Sequence, residues 1–390
     1  MKDTITKNKH RIYLSLFFFM SGFSFATWAS RIPTIKMAFG FNEAELGTIL
    51  LAMPIGSLIG LPISGWLVSK YNSRVPLAVG YGLNAIALAI IGFSQNTFSL
   101  VVAVVLFAFT TRIFNISVNT QAITLQKQFS QKIIGSFHGF WSTGGIAGVA
   151  FSTLLLTYNV SLHMHLLIVA IMCLLITCYS YQFLLKGDRS EKGNKIIVGK
   201  PDPYILYLGF IIFFAAICEG GMFDWSGIYF QEVLHVEIFT YGYLIFMTFM
   251  AASRFLSDLI IARIGMPATF LMCALLVVSG ISLAIIVPQF WPAMVGFSMV
   301  GFGTAAVVPM SYALAGASSK YSPGMAISII ATYAITGMLL GPPIIGYLAH
   351  AFGLRVAFII FGFSGLMLIP ISQLFFSYQK KMKTMAGNIE

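Results

Sequence analysis

Twelve apolar runs, each about 20 residues long or longer, follow one another along this chain. They fall at 12–32, 43–68, 76–94, 98–122, 134–157 and 163–185, then at 204–230, 241–262, 267–287, 291–315, 324–350 and 355–377. A run of about 20 apolar residues is the length that crosses the hydrocarbon core of a bilayer as a helix. Lipid supplies no hydrogen-bond partners, so a lone spanning segment must satisfy its own backbone, and only a helix does so. The alternation of polar and apolar residues over about 10 positions that marks a membrane β-barrel strand is missing. Composition agrees, since 58% of residues are hydrophobic and 9% are charged, against about 25% charged in a soluble domain. The expected fold class is therefore an all-α polytopic membrane protein with twelve transmembrane helices. The first run follows MKDTITKNKHR and is longer than the core of a signal peptide, about 7–15 residues, so it reads as an uncleaved span.

The charges between runs give an orientation. With the N-terminus, the even-to-odd connections and the C-terminus placed on one side, that side carries 18 of the 23 Lys and Arg residues. The other side keeps Arg31, Lys36 and Arg355, while Arg112 and Arg254 fall inside runs. Basic loops stay in the cytoplasm, so both termini are expected there, and the net charge of +11 reflects this bias rather than nucleic-acid binding. The chain also repeats. An offset of 193 residues pairs Lys70 with Arg263, Lys127 with Lys320, Thr111 with Thr304, Gly144 with Gly337 and Gly148 with Gly341, each at the same place in its half. This predicts a six-helix bundle over 1–185, a cytoplasmic linker over 186–203 containing KGDRSEKGNKIIVGKPDP, and a second six-helix bundle over 204–390. Parallel six-span halves with a site between them are one layout of secondary transporters.

Three stretches carry a resemblance to the major facilitator superfamily, within it to the bacterial branch of fucose permease and related inner-membrane permeases: ATWASRIPTIKMAFGFNEAELG, GWLVSKYNSR at 65–74, and EGGMFDWSG in span seven. The resemblance runs along nearly the whole chain. It implies alternating access by a rocking of two bundles, in the bacterial inner membrane. Against the superfamily's signature loop, Ser69 stands in place of the acid and Asn72 in place of a glycine. The second-half copy, RFLSDLIIARIG, retains Asp258 and Arg263. By resemblance, Arg254, Asp258 and Arg263 would latch a cytoplasmic gate, and Lys70 and Arg74 would do so more weakly because Ser69 cannot accept their charge. Gly135, Gly144 and Gly148 follow the spacing of the antiporter helix-five motif, but Val149 replaces its proline and the closing glycine pair is absent.

Charged residues inside spans mark the candidate site. Each costs about 2.5–3.5 kcal/mol at the bilayer centre, so it must find a counter-charge, face a polar cavity or carry a proton. Span seven holds two acids, Glu219 and Asp224, in CEGGMFDWSG. Five residues apart, they point about 140° away from one another on a regular helix; Gly220 and Gly221 are expected to loosen the helix and bring both to one cavity. Arg112 in span four is the expected counter-charge, and it shares a helix face with Asn115 and Asn119. By resemblance it matches the arginine motif in the fourth span of proton-coupled members. Span one presents Trp28 and Arg31 on one stripe with Ser21 and Ser24, and Arg31 is a candidate partner for Asp224. Trp28 reads equally as an interfacial belt residue. Span five adds His138 as a protonatable group or a packed core histidine, and Trp141; with Trp28 and Trp225, Trp141 is suited to stacking on a sugar ring or flat ligand. Pro54, Pro62, Pro309, Pro342 and Pro343 should kink their helices.

Cys173, Cys178, Cys218 and Cys273 all lie in apolar runs without ligand spacing and read as packing residues. The chain has no GxxxxGK[ST] phosphate loop and no HExxH motif, so no enzymatic activity, metal or cofactor is expected. The expectation is a monomeric secondary active transporter that takes a small polar solute, sugar-like in kind, by proton symport. Proton-antiporting efflux of a drug or metabolite is the alternative.

Overall fold

The computed structural model describes residues 2–129, 133–186, 202–318, 320–321 and 323–387, and among these every regular element is a helix. Among the described residues eleven helices are long and apolar enough to cross a membrane. The remaining span lies in the helix Thr240–Ile286, which has 47 residues and breaks at Gly265 (φ 78°, ψ 162°). That conformation suits a residue without Cβ. Pro267 follows and cannot donate to the carbonyl of Arg263, so the chain turns here and spans eight and nine separate.

Proline has the same effect at three further breaks. The first helix, Lys2–Ser30, stops at Arg31 and resumes as Ile32–Phe39 with Pro33 near its start. Glu43–Leu50 gives way to Ala52–Lys70 around Pro54, and Phe290–Ala305 to Val307–Gly316 around Pro309. In each case the carbonyl four residues before the proline, that of Ala29, Leu50 or Ala305, has no backbone donor there. Pro62, Pro342 and Pro343 lie within helices that continue past them.

The chain forms two compact units, Met1–Phe41 with Ile49–Lys195, and Asn42–Thr48 with Ile196–Glu390. Within the first, span one packs along span five at glycines: a Cβ on Gly144 would overlap the carbonyl of Phe19, one on Gly148 that of Phe23, and one on Gly22 that of Trp141. Span two crosses span four at Gly56 and Gly60. The second unit repeats this plan. Gly337 of span eleven meets the carbonyl of Phe213 in span seven, and Gly301 of span ten meets that of Phe246 in span eight. Gly144 and Gly148 of the half-met helix-five motif therefore serve close helix crossing, as small residues do in membrane bundles. In the second unit Gly47 also crosses Gly346, where a Cβ would come within 2.8 Å of the Pro342 carbonyl or 2.5 Å of the Glu43 carbonyl respectively. A buried apolar core of Ile205, Leu208, Ile212, Phe270, Val307 and Phe375 holds the termini-facing end of this unit.

Candidate functional site

The helix Pro203–Glu232 carries both span-seven acids, and Asp202 caps its start by accepting from the amide of Ile205 at 3.0 Å. It runs without interruption through Gly220 and Gly221. The expected loosening there does not occur. Gly221 is instead a packing position, since a Cβ would strike the ring of Phe361 and Ile345. An unbroken helix keeps Glu219 and Asp224 about 140° apart, so they do not converge on one cavity.

Glu219 has a cation. Arg254 of span eight donates to Glu219 Oε1 at 3.1 Å, with the two side chains 30% and 14% exposed. The counter-charge expected of Arg112 is thus supplied by Arg254, which sequence reasoning had assigned to a cytoplasmic latch with Asp258. The side chain of Asp258 lies outside the described residues. The pairing was hidden because Arg254 also fits the spacing of the signature-loop copy.

Asp224 makes no hydrogen bond and no ion pair among the described residues. Its surroundings nonetheless hold polar atoms. Tyr243 of span eight lies within electrostatic reach of both Asp224 and Glu219, and its ring is edge-on to Phe223 at 5.9 Å. The Tyr243 hydroxyl, the Trp225 Nε1 and the Ser226 hydroxyl are all buried without a hydrogen-bond partner. Buried polar atoms are ordinarily satisfied, so three such atoms on two adjoining helices near an unpaired carboxylate set this region apart from an ordinary packed core. Tyr243 escaped notice in the sequence, where TYGYLIFMTFM reads as an aromatic-rich apolar run.

In the first unit, span four has two faces. Ile113, Phe114, Ser117 and Val118 are buried, while Thr111, Arg112, Asn115, Ile116, Asn119 and Thr120 form a half-buried stripe. A stripe facing lipid would be apolar; this one carries an arginine and two asparagines, so a polar environment is the consistent neighbour. Asn119 donates to the carbonyl of Asn115 at 2.7 Å. Gly60 of span two gives the Arg112 stem room, since a Cβ there would come within 3.0 Å of Arg112 Cβ.

Arg31 is buried at 2% exposure and turned into its own unit. Its Nε donates to His165 Nδ1 at 2.8 Å and a terminal nitrogen donates to the Val160 carbonyl at 2.9 Å. The partner expected in Asp224 is therefore replaced by a histidine and a backbone oxygen. His165 was missed because LHMH at the start of span six resembles a membrane-interface sequence. Trp28, weighed as a belt residue, is buried at 2% and packs on Phe107 at 6.2 Å. His138 is exposed and edge-on to Phe18 at 5.6 Å, which excludes the packed-core reading, and Trp141 is half-buried beside Phe25 at 6.3 Å.

The cations assigned to gating sit over rings. Lys70 Nζ lies 4.7 Å from the centre of the Trp66 ring and 5.6 Å from that of Tyr71, and the Arg74 guanidinium lies 5.1 Å from that of Tyr181. Aromatic faces here attract the charge that an acid at position 69 would have attracted. Arg263 is exposed.

The Major Facilitator Superfamily model matches residues 14–319 and 267–385. An uncharacterised MFS-type transporter of Yersinia pestis is 28% identical over 359 residues, covering 92% of each chain. Membrane protein MosC of Rhizobium meliloti is 29% identical over 343 residues, covering 86% of this chain and 83% of its own. Among solved structures, the nucleoside transporter NupG superposes with a TM-score of 0.71 at 15% identity, covering 93% of this chain and 99% of that one. A bacterial homologue of the human lysosomal transporter Spinster, in an inward-facing and unoccupied conformation, gives 0.73 at 13% identity, covering 95% and 97%. Identities this low establish a shared fold, and the family match with the MFS-type relative establishes the class of activity. With two bundles built on one plan, charged residues held inside spans, and this match along the chain, the protein belongs to the major facilitator superfamily, a family of transporters rather than enzymes, and its activity is secondary transport across a membrane.

Proposed function

We propose that the chain is a proton-coupled symporter of a small polar solute in the bacterial inner membrane, acting as a monomer with both termini in the cytoplasm. The ion pair between Glu219 and Arg254 at 3.1 Å carries this reading. A proton on Glu219 removes the charge that holds Arg254, so binding a proton and releasing a cation become one event. Energy from a proton gradient enters the transport cycle through such an exchange. Asp224, with no competing partner, is the second acceptor, for a proton or for a solute hydroxyl. In the first unit the polar stripe of Arg112, Asn115 and Asn119, with Trp141 and His138, is suited to polar solute contacts. In the second unit Trp225 and Tyr243 each have a polar hydrogen awaiting an acceptor.

The experiment is reconstitution of the full chain into liposomes under an inward proton gradient, with a screen of solutes. Nucleosides belong in the screen because of the substrate named for NupG, and sugars and polyols because the unpaired groups are hydroxyl-binding ones. Gradient-dependent uptake is expected, lost in Glu219→Gln and altered in Asp224→Asn. Uptake and coupling equal to the parent's in both variants would refute the assignment. Gradient-driven extrusion would replace symport with the antiport reading.

A further inference from the structure

The pair formed by Arg31 and His165 lies outside this proposed coupling route, and its chemistry leads elsewhere. Three elements meet there: the broken end of span one, the connection after span five and the start of span six. Arg31 sits at the break itself (φ −103°, ψ 0°), between the helices Lys2–Ser30 and Ile32–Phe39. Its guanidinium crosses 129 residues of sequence to the Val160 carbonyl and 134 to His165. Neither acceptor is charged. His165 is fully buried, with its ring against Phe151 of span five at 5.7 Å. Its Nε2 has no hydrogen-bond partner.

The direction of the Arg31–His165 bond fixes the state of the imidazole. An arginine Nε only donates, so His165 Nδ1 must accept through its lone pair, and the ring must be neutral with its proton on Nε2. A second proton has one place to go, Nδ1, and that is the atom facing Arg31 at 2.8 Å. Protonation would therefore remove the acceptor and set an imidazolium against a guanidinium with no carboxylate between them. Among the described residues Arg31 is the only charged group bearing on His165: Phe151 from span five and the Val160 carbonyl from the connecting loop carry no charge.

We propose that Arg31 and His165 form an acid-released clasp, in which neutral His165 ties the end of span one to span six, and protonation of His165 lets that end go. The closed clasp excludes the proton and the opened one admits it. Opening is therefore drawn forward by acid, roughly tenfold per pH unit below about 6.5, the ordinary midpoint of an imidazole. The clasp lies at the end of the first unit away from the N-terminus, and so acts on the helix break rather than on the span-seven acids.

Hydrogen–deuterium exchange on the detergent-purified full chain tests this without any transported solute. After correction for the chemical exchange rate, peptides spanning 26–36 and 158–166 are expected to exchange roughly tenfold faster for each pH unit between about 6.5 and 5. The same peptides in His165→Gln, whose side-chain oxygen accepts from Arg31 but does not titrate in this range, are expected to show a flat profile. Peptides from 204–232 should not change in either protein. Equal acid dependence in the parent and His165→Gln overturns the proposal, as does a flat profile in the parent. If His165→Gln does not fold, Arg31→Met supplies the same comparison. With the facing cation gone, a weaker acid dependence than the parent's supports the clasp and an unchanged one overturns it.

Discussion

Arg31 and Asp224 stand in equivalent places in the two halves, since 31 + 193 = 224 under the offset that relates the bundles. The first is a buried cation tied to His165 and the Val160 carbonyl. The second is an acid that neither bonds nor pairs among the described residues. The position equivalent to His165 is Phe358, which has no polar atom to offer and instead packs at a tilt against Tyr229, ring centres 4.5 Å apart. The backbone differs too: span one breaks at Arg31, whereas span seven runs on to Glu232. One scaffold thus uses the same place for an anchor in one half and leaves it unpaired among the described residues in the other. Duplicated bundles can divide labour in this way because close helix crossings maintain the architecture, leaving individual charged positions free to diverge.

The contrast can be tested most severely at Glu219 and Arg254. Arg254→Met leaves an acid without its cation and should cost about 3 kcal/mol of stability, read as a lower thermal midpoint in detergent, together with gradient-driven uptake. Joining Glu219→Gln to it should recover most of the stability and none of the coupled uptake. If the double variant is as unstable as Arg254→Met, the pair is not the reason for the loss. The next largest effect separates the equivalent positions themselves. Arg31→Met strands two acceptors at about 1 kcal/mol each, so its midpoint should fall, while Asp224→Asn should leave the midpoint within the range of about 0.5 kcal/mol usual for substitutions that break no partner yet change uptake. Equal stability losses at the two positions would erase the distinction between anchor and open site.

Glycines sharpen the comparison at the level of packing. Gly148 and Gly341 are equivalent, yet a Cβ on Gly148 would come within 3.0 Å of Phe23 Cα, while one on Gly341 would stay 3.7 Å from the carbonyl of Ile217. Gly148→Ala should therefore cost about 1–3 kcal/mol, and Gly341→Ala almost nothing, in the same unfolding measurement. The smallest effect is expected at Lys70. Its cation–π contacts with Trp66 and Tyr71 are exposed and worth about 0.5–1 kcal/mol. Lys70→Met should remove that much, and after Trp66→Leu only the longer contact with Tyr71 should be left for Lys70→Met to remove.

The spans were legible because a bilayer imposes one length and one secondary structure, and a run such as 98–122 admits no other reading. Glycine spacings were legible for a similar reason, since residues four apart on a helix face meet the same neighbour. The pairings were not. Glu219 and Arg254 are 35 residues apart on different spans, and nothing in either segment says which way its helix is rotated. The break at Arg31 was written in SRIP, where Pro33 denies the carbonyl of Ala29 its donor, but its use as a hook depends on a histidine 134 residues away. Gly220 and Gly221 misled because two glycines weaken a helix in water, whereas in lipid an open backbone bond costs more than the glycines concede.

The unbroken helix of span seven sets a limit on traffic through the second unit. Glu219 and Asp224 are separated by about 7.5 Å along its axis and face different sides. That is too far for a proton to pass directly from one carboxyl to the other, so the helix acts as a bulkhead between two separate berths. A proton lodged at one would reach the other only through an intermediary, whether the Tyr243 hydroxyl within electrostatic reach of both, water or the cargo, which would tie the order of loading to what occupies the space around the helix.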